Sequence, residues 1–69
     1  MHTVEDIKTL FELAGVAHDF CITKLSEDTI VCGGWNRVFL YSDGTAKLST
    51  HHCTEEFIAV GEKLGFTIL

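Results

Sequence analysis

"NRVFLYSDGTAKLST", residues 36–50, decides the fold: the apolar run Val38–Tyr41 precedes Asp43-Gly44, and a strand-like alternation of Ala46 and Leu48 with polar residues follows it. An Asp-Gly pair between two such runs signals a hairpin, because a type I′ turn needs positive φ at both central positions. A two-residue turn there sets Tyr41 opposite Ala46 and Phe39 opposite Leu48. Upstream, "DFCITKLSEDTIVCGG" (19–34) repeats the pattern around Glu27-Asp28. A second two-residue turn sets Leu25 opposite Ile30 and Thr23 opposite Cys32, and Gly34-Trp35 between the hairpins sets Ile30 opposite Phe39.

The period changes on either side of these strands. In "TVEDIKTLFELAG" (3–15), Val4, Ile7, Leu10, Phe11 and Ala14 recur at helical spacing, with Thr3 placed to cap and Gly15 to end the helix. A second helix starts after Cys53: Thr54 caps, Glu55 and Glu56 suit the positive end of the dipole, and Phe57, Val60, Gly61 and Leu64 form its buried stripe. Gly65 stops it, and "FTIL" follows as a tail or short strand whose Phe66 folds back onto the last turn. The expected architecture is one α+β domain over 1–69: an N-terminal helix, a three- to four-stranded antiparallel sheet of hairpins, and a C-terminal helix packed on one sheet face.

These registers give one sheet face Cys21, Leu25, Ile30, Cys32, Phe39, Tyr41, Ala46 and Leu48, which the helices cover. The other face receives Phe20, Ile22, Val31, Val38 and Leu40 beside Lys24, Lys47 and Ser49, more apolar than a solvated face should be. Three readings follow: an interface for a partner or a second copy of the chain, a slipped register in which some of these residues belong to the core, or cover by the C-terminal "FTIL".

Composition narrows the class. Sixty-nine residues at 46% hydrophobic make a folded domain, small enough that a deep enclosed catalytic pocket is not expected. Ten carboxylates against five scattered basic residues give a net charge of −5, which disfavours direct binding to nucleic acid or to an anionic membrane and suits either solubility alone or a protein partner with a basic surface. Glu27, Asp28, Glu55, Glu56 and Glu62 are the candidate charged contacts, and Trp35 with Phe20, Ile22, Val38 and Leu40 the apolar ones. No run approaches the ~20 apolar residues of a membrane span, and "MHTVEDIKTL" has no signal-peptide character, so a cytoplasmic protein is expected.

Three cysteines and four histidines raise the question of a metal, sharpened by "LSTHHCTEEF" (48–57). No cofactor is required, and zinc is the one candidate. Its ligands would be Cys21, Cys32, His51 and Cys53, drawn from distant segments because neither a CxxC knuckle nor a helical HxxxH is present. In the expected register Cys21 and Cys32 lie diagonally on one face, about 7–8 Å apart. The alternative treats Cys21 and Cys32 as small buried apolar groups, Cys53 as a helix-entry residue and the histidines as flanking residues. Cys53 with His51 or His52 is the one nucleophile pair worth considering, but neither a third orienting residue nor an oxyanion loop accompanies it, and no enzyme is expected.

Helix, strands and helix in this order resemble the double-stranded RNA-binding domain in topology, but where that family is basic at its second helix this chain reads "CTEEF". The opening "EDIKTLFELAGV", the stretch "GGWNRVFLYSDGTAKL" and the short acidic chain resemble small uncharacterised accessory proteins of phages and prophages. That resemblance implies an inhibitor of host defence in a bacterial cytoplasm, anti-CRISPR in kind, which binds a CRISPR-Cas effector and occludes a basic nucleic-acid groove.

Overall fold

The computed structural model describes residues 1–69. Helix α1 (Val4–Leu13) leads through a 3₁₀ turn (Ala17–Asp19) into strands β1 (Ile22–Ser26), β2 (Thr29–Cys32), β3 (Val38–Tyr41) and β4 (Ala46–Leu48). Helix α2 (Glu55–Lys63) then returns the chain to a short strand β5 (Thr67–Ile68). The five strands form one sheet in sequence order, antiparallel except for β5, which runs parallel to β4. A parallel neighbour needs a crossover, and α2 is that crossover. The domain is α+β, with both helices on one face of the sheet.

The helix ends follow from their residues. Thr3 and Asp6 form a reciprocal capping box, the Thr3 N–H donating to Asp6 Oδ2 at 2.9 Å and the Asp6 N–H to Thr3 Oγ1 at 3.3 Å. Thr54 Oγ1 accepts the Phe57 N–H at 3.2 Å at the head of α2. Past α2, Gly65 takes φ +87° and the Phe66 N–H donates to the Gly61 carbonyl at 3.0 Å. That reversal turns Phe66 into the core.

The core lies between the helices and β2–β4: Ile7, Leu10 and Phe11 of α1, Phe57 of α2, Cys32, Val38, Ala46 and Leu48 of the sheet, and Phe66. Phe11 is its hub, with Phe57 and Phe20 edge-on at centroid distances of 4.8 and 5.4 Å. Burying a side chain of this size stabilises the fold by roughly 1.5–3 kcal/mol.

The strand pairing differs from expectation by one residue at each connection. Leu40, not Tyr41, faces Ala46, and Val38, not Phe39, faces Leu48. The turn holds three residues, Ser42 to Gly44: the Tyr41 N–H donates to the Thr45 carbonyl at 2.9 Å and the Gly44 N–H to the Tyr41 carbonyl at 3.0 Å. A two-residue type I′ turn needs positive φ at Asp43 as well, whereas only Gly44, at +87°, adopts it. Between β2 and β3 the connection is Gly33–Arg37, so Cys32 faces Val38 and Ile30 faces Leu40. In the first hairpin Ile22 faces Cys32 and Lys24 faces Ile30, with a register irregularity at Leu25.

One slip exchanges the faces of a strand. Val38 is fully buried and Leu40 and Phe20 pack against the core, so these three are not the exposed apolar anchors expected from the sequence. Phe39, Tyr41 and Leu25 leave the expected core face for the outer one. Cys32, Ile30, Ala46 and Leu48 do face the helices, and Val31 faces outward.

Candidate interaction site

The feature that stands apart is the connection Gly33–Arg37. Gly33 takes φ +100° with the Phe11 ring and the Asn36 carbonyl against its α-carbon, a position only glycine fits. The following backbone folds around the Asp19 carboxylate. Its Oδ1 accepts the N–H groups of Gly34 at 3.3 Å and Trp35 at 3.0 Å, and its Oδ2 accepts that of Asn36 at 2.8 Å. Partial burial raises the Asp19 pKa, but the three amide bonds, helped by His18, outweigh it and hold the carboxyl below its ordinary value.

The far side of the loop is held by the entry to α2. Asn36 is buried, and its Oδ1 accepts the Thr54 N–H at 2.9 Å, satisfying a free amide of the helix start. The Arg37 N–H donates to the His52 carbonyl at 3.1 Å, the Cys53 thiol to the Arg37 carbonyl at 3.4 Å, and Arg37 Nε to the Gly34 carbonyl at 2.9 Å. A loop fixed from both sides presents Trp35, 88% exposed.

Beside this loop lies the outer sheet face. Cys21, Thr23, Leu25, Val31, Phe39 and Arg37 line a shallow groove with Gly33 and Gly34 at its head. Phe39 meets the His52 ring edge-on at 6.3 Å, and Lys47 stands 5.4 Å from the Tyr41 centroid. Helices cover only the opposite face, so this face combines aromatic and aliphatic area with the cations Arg37 and Lys47.

Of the expected charged contacts, Glu27 and Asp28 lie at the far end of the sheet from Trp35. Glu27 and Asp28 occupy the β1–β2 turn, tied to the neighbouring turn by the Ser42 N–H donating to the Asp28 carbonyl at 2.8 Å. Together with Asp43 they make an acidic end, separated from the Trp35 loop by the length of β2, about 15 Å. Glu55 and Glu56 begin α2 and Glu62 lies in its last turn. Ile22 is half exposed, but on the helix-side face of β1 where the helices no longer reach.

The expected metal ligands are not brought together. Cys32 lies in the core, Cys21 on the outer face, His51 exposed in the loop after β4, and Cys53 half-buried against Arg37. No three Cys, His, Asp or Glu side chains gather where they could hold an ion, so the four candidate zinc ligands do not meet; the one-residue shift puts Cys21 and Cys32 on opposite faces. Burial pushes the Cys32 thiol up to about 11, with Cys21 adding to it. Burial also raises the Cys53 thiol above its ordinary value, outweighing the lowering influence of the Arg37 and Ser49 backbone, the reverse of what a nucleophile needs.

Sequence reading singled out Trp35 and missed Asp19, Asn36 and Arg37. Asp19 acts on residues sixteen and seventeen positions away, so no local spacing marks it. Asn36 had a faint signal, an amide residue between Trp35 and a strand, of the kind that holds loops.

No protein-family model, curated protein or solved structure matches this chain. No helix is long and apolar enough to cross a membrane.

Proposed function

We propose that this protein is a non-catalytic binding domain that docks on a protein partner through the Trp35 loop and the adjoining outer sheet face. The observation that carries the reading is Trp35 itself: a large aromatic side chain left in water on a backbone fixed by Asp19 and by the head of α2. Holding an exposed indole in one place removes ordering entropy from the binding step, and Trp is the residue type most enriched at interface hot spots. Phe39, Val31 and Leu25 extend the apolar patch, and Arg37 supplies a charged edge.

In its narrower form the reading is an inhibitor of a bacterial defence complex, as the resemblance to phage accessory proteins implies. Trp35 anchors the protein, and the acidic end at Glu27, Asp28 and Asp43 covers a basic nucleic-acid groove on the target. The test is target-DNA cleavage by a panel of guide-loaded CRISPR-Cas effectors with stoichiometric protein added. Inhibition lost on Trp35→Ala, with the melting temperature unchanged, supports this form. Full cleavage across the panel removes it and leaves the broader binding reading to a partner of another kind.

A further inference from the structure

The edge of the sheet at β1 carries a second inference. The Gly33 N–H donates to the Cys21 carbonyl at 2.8 Å, which sets the phase of the β1–β2 ladder. Antiparallel pairing alternates, so Thr23 directs its backbone groups to Val31, while Ile22 and Lys24 direct theirs away from the sheet. The other end of β2 agrees: the Ser42 N–H bond to Asp28 gives Ile30 and Cys32 to β3, leaving Val31 for β1. Every residue of β1 is exposed and no element covers this edge.

Both faces of the edge have room for side chains. On the outer side lies the groove of Thr23, Leu25, Val31 and Phe39, whose one charged lining residue is Arg37. On the helix side, Ile22, Ile30 and Leu40 line a second groove with Lys24 beside them. Arg37 makes no ion pair, since Lys24 with Glu27 is the single salt bridge in the molecule, and its Nε is used on Gly34 while the rest of the guanidinium remains free. The irregularity at Leu25 confines the usable edge to Cys21–Lys24, short enough to limit stacking of copies of the chain.

We infer that β1 is a β-augmentation edge that takes an extended segment of a partner protein, apolar at alternate positions and carrying a carboxylate in the row over Arg37. The added strand bonds to the free backbone groups of Ile22 and Lys24. Its two side-chain rows fall into the two grooves, and the carboxylate reaches the free guanidinium nitrogens of Arg37. A second copy of the chain fits less well, because its β1 would bring Cys21, Thr23 and Leu25 to the outer row and no carboxylate to Arg37.

The probe is an acetylated, amidated heptapeptide with valine in one row and leucine plus one aspartate in the other, titrated into the full chain and followed by amide NMR and hydrogen exchange. The expected result is new protection at the Ile22 and Lys24 amides, with the Thr23 amide protected before and after. Lys24→Pro removes an outward N–H that the β1–β2 ladder does not use, so it weakens binding about tenfold or more, while Lys24→Ala does not. Hydrogen exchange on the unaltered chain decides the matter even if the proline variant fails to fold. No new protection at millimolar peptide overturns the inference, as does equal binding when aspartate is replaced by lysine. Self-association that Lys24→Pro abolishes overturns it too, by giving the edge to a second copy.

Discussion

The Asp19 carboxylate accepts the main-chain N–H of Asn36 at 2.8 Å, joining the end of the 3₁₀ turn to a loop seventeen residues further on. With the Gly34 and Trp35 amides on the same carboxylate, this one side chain sets the shape of the segment that presents Trp35. Hydrogen bonds to an ionised acceptor are the stronger kind, which suits a fixed loop at a sheet end.

Replacing Asp19 with Asn removes the charge and one acceptor oxygen, and should cost about 1–3 kcal/mol at neutral pH. The sign of the pH dependence follows from the lowered pKa. The stability that Asp19 contributes is complete above the unfolded carboxyl value of about 3.9 and is lost as pH falls through the lower folded value. Urea denaturation from pH 7 to pH 2 should therefore show a shallower acid loss in Asp19→Asn than in the native chain.

Gly33→Ala should be among the most damaging single changes in the loop. It forces a side chain into φ +100° and onto the fully buried Phe11 ring, whose Cζ would lie 2.5 Å from the new carbon. A loss of about 3 kcal/mol or more is expected, read as a lowered denaturation midpoint or as failure to fold.

The register can be checked by paired substitutions on β3. Val38→Ala empties fully buried space and should cost about 1–3 kcal/mol. Phe39→Ala, on the open face, should cost less despite removing a larger side chain. The reverse order in thermal or chemical denaturation would restore the two-residue turn at Asp43-Gly44.

Thiol accessibility separates the cysteines. In native buffer at mildly alkaline pH, Cys21 should react first and half-buried Cys53 more slowly. Cys32, fully buried and pushed up to about 11, should react only on unfolding. Chelator should leave both the rates and the melting temperature unchanged.

Element order was legible in the sequence because caps and periodicity are local: Thr3, Thr54, Gly15 and Gly65 stand where helix ends need them. The register was not, because it turned on whether Asp43 or only Gly44 takes positive φ, and Asp-Gly serves both turn geometries. Since side chains alternate, that single residue carried Val38 and Leu40 inward and Phe39 and Tyr41 outward. The prominence of Trp35 was readable from its place beside Gly33-Gly34. Its support was not, because Asp19, Asn36 and Thr54 meet only in the folded chain.

The most direct test of the account is the backbone order of Gly34, Trp35 and Asn36 by ¹⁵N relaxation, in the native chain and in Asp19→Asn. A loop prearranged for docking predicts native order parameters near those of the strands, about 0.85, and a clear fall in the variant. Values below about 0.6 in the native chain would contradict it, leaving Trp35 on a mobile tip with no fixed surface to offer a partner.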